Sequence, residues 1–230
     1  MERLLGDLDV IFEQKQTLLK TARFTHKPEH LKLALLLHDI GKPISRTITS
    51  DGQVHFYDHE KKSALMADQV SRRLALPNDL RSYITSIIQH HLYPLLLFLE
   101  NQKGHLTQRA IIKLFRKTKA VSLDLLLHAA ADFAGKKPSN DPINAALDFI
   151  SFVKKLWEYY HCYLESALKR PPLLTGKDLI EDLGLTPSPL FKIILNRIEE
   201  GHLIGQLSSK ADAIRWTRSF LKNHINKHGS

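Results

Sequence analysis

Apolar residues recur at helical spacing along almost the whole chain, and no segment shows the sustained alternation of apolar and polar residues that is typical of strands. The pattern predicts helices over about 2–19, 28–40, 59–75, 78–91, 105–118, 120–134 and 141–169. The segment from Gly41 to Asp58 interrupts it, either as irregular structure or as a short hairpin that turns at Asp51 and Gly52. The predicted fold class is therefore all-α, a bundle of helices.

A pair of prolines divides the chain. Pro171 and Pro172 end the last long helix, because proline lacks the N–H that a helix interior needs. Beyond them, residues 173–226 are predicted to form three short helices separated by turn residues. The sequence thus predicts a helical core domain over 1–170 and a small C-terminal helical unit over 171–230.

Composition limits the classes of partner and compartment. The chain has 230 residues and a formal net charge of +9, which favours a polyanionic partner, although a basic protein without such a partner accounts for the charge equally well. A single cysteine, Cys162, excludes an internal disulfide framework and fits a reducing compartment. We see no signal peptide and no apolar run near the ~20 residues of a membrane span, so we expect a cytoplasmic protein without membrane association.

The segment LKLALLLHDIGKP, residues 31–43, carries the first candidate chemistry. His38 and Asp39 stand side by side at the end of an apolar helix, just before Gly41. An imidazole nitrogen and a carboxylate oxygen together suit borderline divalent metals. On spacing alone this is weak evidence, because a histidine at a helix C-terminus also interacts with the helix dipole.

Other residues strengthen this interpretation as a set. The histidines near predicted helix ends are His55, His59, His90 and His91. Asp132 lies in the very apolar segment LLLHAAADFAG, one helical turn after His128, where an ionised carboxylate needs a partner such as a metal. Each residue alone is more often structural than functional, but their joint presence favours a shared site.

Four motifs occur in a characteristic order and spacing: LLLHDIGKP, HFYDHE, QHHLYP and AAADFAG. Together they resemble the HD domain of bacterial CCA-adding tRNA nucleotidyltransferases and their poly(A) polymerase-like relatives. The resemblance covers about residues 29–222, because the C-terminal segment is similar to the tail of those enzymes. It implies an HD-domain helical bundle followed by a small helical unit.

The resemblance also implies roles for individual residues. It makes His38, Asp39 and Asp132 direct ligands of a divalent metal ion, whether Mn, Ni, Co, Fe, Zn or Mg, and it lets Lys42 neutralise phosphate charge. The histidines that match positions for a second metal or the phosphate are His59, His90 and His91. The residues expected to take part in catalysis are His38, Asp39, Lys42, His59 and His91.

The reaction implied is metal-dependent phosphohydrolysis. A phosphomonoesterase or a 2′,3′-cyclic nucleotide phosphodiesterase that acts on nucleotides or RNA ends fits such a site, because a bound divalent ion activates water and withdraws charge from the phosphoryl group. The earlier histidine ligand that is usual in HD sites has no clear match, since only His26 and His30 precede His38. The alternative is therefore a non-catalytic RNA-binding or partner-binding module with a degenerate HD site.

Nucleotide addition by this chain alone is not expected. Asp7 and Asp9 lack the Gly-rich motif of a nucleotidyltransferase site and more simply complement a helix dipole. A separate nucleotidyltransferase chain is a possible partner, as are nucleotides or RNA such as tRNA, whereas sequence-specific DNA binding is not expected. The basic residues that could contact an RNA backbone are Lys177, Lys192, Arg197, Lys210, Arg215, Arg218, Lys222 and Lys227.

Overall fold

A computed structural model describes residues 27–135, 142–168 and 170–228. The helix predicted over about 2–19, together with Asp7, Asp9 and His26, lies outside the described residues. Within them, helices form nearly all of the regular structure, and the only sheet has two strands. The prediction of an all-α fold is confirmed.

Eight helices precede residue 160 in the described part of the chain. They are α1 (Pro28–Leu37), α2 (Lys42–Ser45), α3 (His59–Arg73), α4 (Asn78–His90), α5 (Tyr93–Gln102), α6 (Gln108–Thr118), α7 (Ser122–Gly135) and α8 (Pro142–Tyr159). A 3-10 turn over Lys119–Val121 joins α6 to α7. The element order places the predicted metal-ligand candidates on or beside α1, α3, α4 and α7.

The segment between α2 and α3 is a hairpin, which was one of the two predicted alternatives. Strands β1 (Arg46–Ile48) and β2 (Val54–Phe56) pair antiparallel, with Thr47 opposite His55. Gly52 has φ +81°, a left-handed conformation that glycine adopts without steric cost and that the tight turn requires. The hairpin leads the chain from the end of α2 to the start of α3.

Two helix boundaries differ from the sequence prediction. Helix α1 ends at Leu37 and not at residue 40, so His38 and Asp39 lie in the turn that follows it. Helix α5 lies between the predicted helices 78–91 and 105–118 and is absent from the predicted set, because a proline just after His90 and His91 favours the end of a helix. Pro94 instead occupies the first turn of α5, where a missing N–H costs no intrahelical hydrogen bond.

The chain divides into two compact units between Glu158 and Tyr159. The boundary expected between residues 170 and 171 stays a prediction. In the first unit, α4 packs against α1, α3 and α7, and this arrangement buries the apolar faces of all four helices. The wholly buried side chains there include Ala34, Ile84, Ile88, Leu125 and Leu126.

The second unit begins with a π-helical turn over Tyr160–Leu164. The helices that follow are α9 (Glu165–Leu168), α10 (Gly176–Glu181), α11 (Pro189–Leu203) and α12 (Lys210–His228). Their buried core consists of Leu174, Leu179, Ile194, Ile198, Leu207 and Ala213. A capping box starts α10, in which the Asp178 carboxylate accepts a 2.7 Å hydrogen bond from the Thr175 N–H.

Among the described residues, no helix combines the length with the apolar content that crossing a bilayer requires.

Candidate metal centre

The turn after α1 presents His38 and Asp39 to the interior. Two successive backbone hydrogen bonds form it, from Ile40 N–H to Leu37 C=O at 3.2 Å and from Lys42 N–H to Asp39 C=O at 3.0 Å. His38 keeps helical backbone angles, φ −60° and ψ −30°, so its ring continues the inward face of α1. The turn therefore holds an imidazole and a carboxylate next to each other.

Gly41 joins this turn to α3. Its N–H donates a 2.9 Å hydrogen bond to Ser63 Oγ, and its C=O accepts a 2.8 Å bond from Ser45 Oγ. A Cβ at this position would lie 2.5 Å from the Ser63 backbone nitrogen and 3.0 Å from the His59 backbone oxygen. Glycine is therefore required here for close approach, and the contact fixes the distance between the His38–Asp39 turn and the start of α3.

Three histidines share one arrangement that fixes the direction of their Nε2 atoms. His38, His59 and His91 each donate Nδ1–H to the carbonyl oxygen three residues earlier, at 2.7, 2.8 and 2.6 Å. A carbonyl only accepts, so Nδ1 carries a proton in each ring, and Nε2 is an electron-pair donor whenever the ring is neutral. Metal-binding histidines are commonly oriented in this way by a backbone carbonyl.

The three Nε2 atoms surround the carboxylate of Asp39. His38 Nε2 is 3.2 Å from Asp39 Oδ2, while Nε2 of His59 and of His91 lie 3.4 and 3.9 Å from Oδ1. The Nε2 atoms of His59 and His91 are 3.3 Å apart. His38, Asp39 and His91 present ligand atoms that all lie within 4.8 Å of one another.

Helix α7 closes the other side of the cluster. Asp132 Oδ1 lies 3.2 Å from His38 Nε2. His128, one turn earlier, is fully buried, and its ring centroid lies 5.1 Å from that of His38 and 5.9 Å from that of His91. The carboxylate and the imidazole of α7 thus both adjoin the residues of the α1 turn.

The pKa values of the cluster residues shift in different directions. Burial lowers the pKa of His38, but contacts with Asp132 and Asp39 outweigh it and raise that pKa to about 10. Burial opposes ionisation of Asp39, yet its contacts with His38 and Lys42 hold its pKa well below the usual range. Burial also lowers the pKa of His91 to about 4 and that of His128 to about 3, so both rings are neutral at pH 7.

The side chains fit a divalent ion. Nε2 of His38 and Oδ1 of Asp39 are buried and make no hydrogen bond among the described residues. His59 and His91 turn two electron-pair donors toward each other, an arrangement that a cation between them stabilises. Metal bonds of about 2.0–2.2 Å place neighbouring ligand atoms about 3 Å apart. The 3.2 and 3.3 Å separations found in the cluster match that spacing.

The remaining predicted residues lie around this cluster. Lys42 forms an ion pair with Asp39 Oδ2 and lies over the ring of Phe56, at 5.8 Å from its centroid. His90 contacts the Ser86 carbonyl at 2.9 Å and the ring of Tyr93, and the described residues give it no contact with the cluster. His55 stacks on Tyr57 in the hairpin. Their predicted roles stay predictions.

The sequence analysis gave no role at this site to two of its residues, His128 and Ser63. The spacing of four residues between His128 and Asp132 is a usable signal, because such residues share one helix face. Nothing in the sequence marks Ser63, since its role depends on the close approach of α3 to Gly41.

The neighbours His90 and His91 provide a matched pair for testing the geometry. Changing His91 to glutamine should weaken divalent-metal binding by at least about tenfold, because it removes an Nε2 donor from the cluster. Changing His90 to glutamine should leave binding nearly unchanged. Titration of both metal-stripped variants with Co²⁺ measures the difference, and equal losses would contradict this view of the site.

Comparison with known proteins identifies similar sequences. The HD domain model matches residues 8–132, more than half of the chain. The chain is 26% identical over 186 residues to the A-adding tRNA nucleotidyltransferase of Deinococcus radiodurans, a match that covers 80% of this chain and 40% of that protein. It is 25% identical over 198 residues to the CC-adding tRNA nucleotidyltransferase of Thermus thermophilus, over 84% of this chain and 40% of that protein.

A shorter stretch is more similar to a third protein. Over 62 residues the chain is 47% identical to the A-adding tRNA nucleotidyltransferase of Halalkalibacterium halodurans, which is 27% of this chain and 14% of that protein. The chain therefore spans about 40% of the length of the tRNA nucleotidyltransferases of Deinococcus radiodurans and Thermus thermophilus.

Proposed function

Because this chain belongs to the HD domain family, a superfamily of metal-dependent phosphohydrolases, we propose that it hydrolyses phosphomonoesters or 2′,3′-cyclic phosphodiesters of nucleotides or RNA ends. The observation that carries the proposal is the convergence of Nε2 of His38 and His91 with the Asp39 carboxylate, all within 4.8 Å. The chemistry that a bound divalent ion supplies is activation of water and neutralisation of phosphoryl charge.

Each side chain has a task in this proposal. His38, Asp39, His91 and Asp132 hold the ion, and the buried carbonyl contacts of the histidines keep their Nε2 atoms pointed at it. His59 lies within 3.4 Å of both Asp39 and His91 and binds either a second ion or the phosphate. His90 makes no contact with the cluster among the described residues and has no part in holding the ion in this proposal.

Exposure indicates the side from which substrate approaches. The side chains of Asp39 and Lys42 are 31% and 34% exposed, whereas His91 and His128 are buried. The phosphoester therefore approaches over Asp39 and Lys42. The Lys42 ammonium donates to a phosphoryl oxygen there, and its contact with the Phe56 ring restricts where the charge can lie.

Nucleotides and RNA ends are the proposed substrate class. Relatives of this chain are named as tRNA nucleotidyltransferases, and the net charge of +9 favours a polyanionic ligand. The ion remains one of Mn, Ni, Co, Fe, Zn and Mg, because mixed imidazole and carboxylate ligands accept several divalent ions.

The test uses an RNA oligonucleotide with either a 2′,3′-cyclic phosphate or a 3′-phosphate. We expect metal-stripped protein to be inactive on both, and reloading with one of the candidate ions to restore hydrolysis of at least one. Product analysis then separates phosphodiesterase from phosphatase activity. No turnover with any ion on either end would contradict the proposed function.

A second candidate function, binding of RNA without catalysis, is favoured by three exposed cations in the second unit. Lys192, Arg218 and Lys222 are exposed and have no ion pair among the described residues. Four other basic residues predicted for this role are paired with acidic side chains: Lys177, Arg197, Lys210 and Arg215. The side chain of Lys227 lies outside the described part of the chain. Three unpaired cations would add salt-sensitive and sequence-blind affinity.

Charge reversal at these three positions tests that function. The triple variant Lys192→Glu, Arg218→Glu, Lys222→Glu should bind single-stranded RNA more weakly, and the slope of log affinity against log salt should fall by about 2, at about 0.7 per lost phosphate contact. Lys177→Glu serves as the control, since that lysine already has a partner. Unchanged affinity and slope in the triple variant would exclude the second unit as an RNA-binding surface.

A further inference from the structure

The contacts of the cluster described above do not explain why the polar side chain of His128 is buried. It is fully buried on α7, and neither of its ring nitrogens has a hydrogen-bond partner among the described residues. Buried imidazole nitrogens almost always find a partner, because an unsatisfied polar group inside a protein is costly. His38, His59 and His91 each satisfy Nδ1 with a backbone carbonyl, so His128 differs from its neighbours.

The position of His128 points to the missing partner. Its ring makes an edge-on contact with the His38 ring, with centroids 5.1 Å apart, and a tilted contact with the His91 ring, with centroids 5.9 Å apart. Asp132 follows it by four residues and reaches His38 at 3.2 Å, so one face of α7 turns both side chains toward the same cluster. An apolar side chain would fill this buried position without cost, yet an imidazole occupies it.

We propose that His128 is a further nitrogen ligand of the metal centre, supplied by α7 together with Asp132; this inference rests on the proposed function of the site. The ion then has nitrogen donors from α1, from the end of α4 and from α7.

The variant His128→Leu distinguishes a histidine that binds the metal ion from one with only a structural role. In His128→Leu, the melting temperature of the metal-free protein should stay equal to that of the wild type or rise, because the unsatisfied nitrogens are gone. Co²⁺ affinity should fall by about 10- to 100-fold or more. Leu126→Met, a buried and volume-conserving change on the same helix, controls for altered packing and should leave Co²⁺ affinity unchanged.

Proton NMR of the Co²⁺-loaded protein supplies a readout that is independent of activity. The number of hyperfine-shifted imidazole N–H signals should fall by one in His128→Leu. His128→Gln, which keeps a polar side chain, is used in its place if the leucine variant does not fold. An unchanged number of signals and unchanged affinity would overturn the assignment of His128.

The same titrations distinguish the two proposals. Co²⁺ binding that is lost in Asp39→Ala but retained in full in His128→Leu overturns only the role of His128. Absence of Co²⁺ binding in the wild-type protein overturns both the role of His128 and the proposed metal-dependent function.

Discussion

Replacing Asp39 with alanine should lower metal-dependent hydrolysis by at least about a thousandfold, since loss of a direct ligand exceeds the 10- to 100-fold cost that is typical of the groups behind the ligands. Asp39 touches His38, His59, His91 and Lys42, so its carboxylate is the common partner of the cluster. The fold should survive, because His38 keeps its contact with Asp132. Steady-state hydrolysis and far-UV circular dichroism measure the two effects.

Glu29→Ala provides the control for this variant. Glu29 is an exposed acidic residue on α1, nine residues before His38, and its loss should leave hydrolysis unchanged. RNA affinity should be nearly the same in wild type, Asp39→Ala and Glu29→Ala. Equal loss of hydrolysis and of RNA affinity in Asp39→Ala would count against separate roles for the cluster and the basic second unit.

Gly41→Ala should destabilise the first unit by about 3 kcal/mol, the upper part of the range for overpacking a tight site. The added methyl would lie 2.5 Å from the Ser63 backbone nitrogen, 2.9 Å from Ser63 Oγ and 3.0 Å from the His59 backbone oxygen. Two of these atoms belong to the backbone of α3 and cannot rotate away. The turn and α3 must therefore separate, which also moves His59 from Asp39 and weakens metal binding.

Gly135→Ala is the matched control for this change. Gly135 ends α7, and a Cβ there meets no atom of the described residues within 4 Å, so alanine should alter the free energy of unfolding by no more than about 0.5 kcal/mol. Urea denaturation followed by circular dichroism compares the two variants. Equal stability of Gly41→Ala and Gly135→Ala would show that the turn and α3 are not held at the distance described.

The sequence was sufficient to predict the helical fold and most of the helices that carry the cluster. The spacing of the apolar residues predicts long periodic helices such as α3, α4 and α7. Helix α5 was not predicted because a proline such as Pro94 is common both after the end of a helix and in the first turn of the next helix. Local patterns do not separate these two cases.

Only some residues of the cluster could be predicted from the sequence. Adjacency marks His38 and Asp39, but the choice between His90 and His91 depends on which side of α4 faces α1, and this is a property of packing. The hydrogen bonds from Nδ1 to backbone carbonyls that orient the rings are likewise set by rotamers. The close contact between Gly41 and Ser63 joins residues that are 22 positions apart, and no local pattern reveals it.

The central claim is that the turn after α1 holds a divalent metal ion, and calorimetric titration of the metal-stripped wild-type protein tests it most directly. We expect saturable binding of at least one candidate ion. Binding should broaden the ring signals of His38 and His91 when the ion is Mn²⁺, and it should disappear in Asp39→Ala. Absence of binding for every candidate ion, or binding that Asp39→Ala retains in full, would contradict the claim.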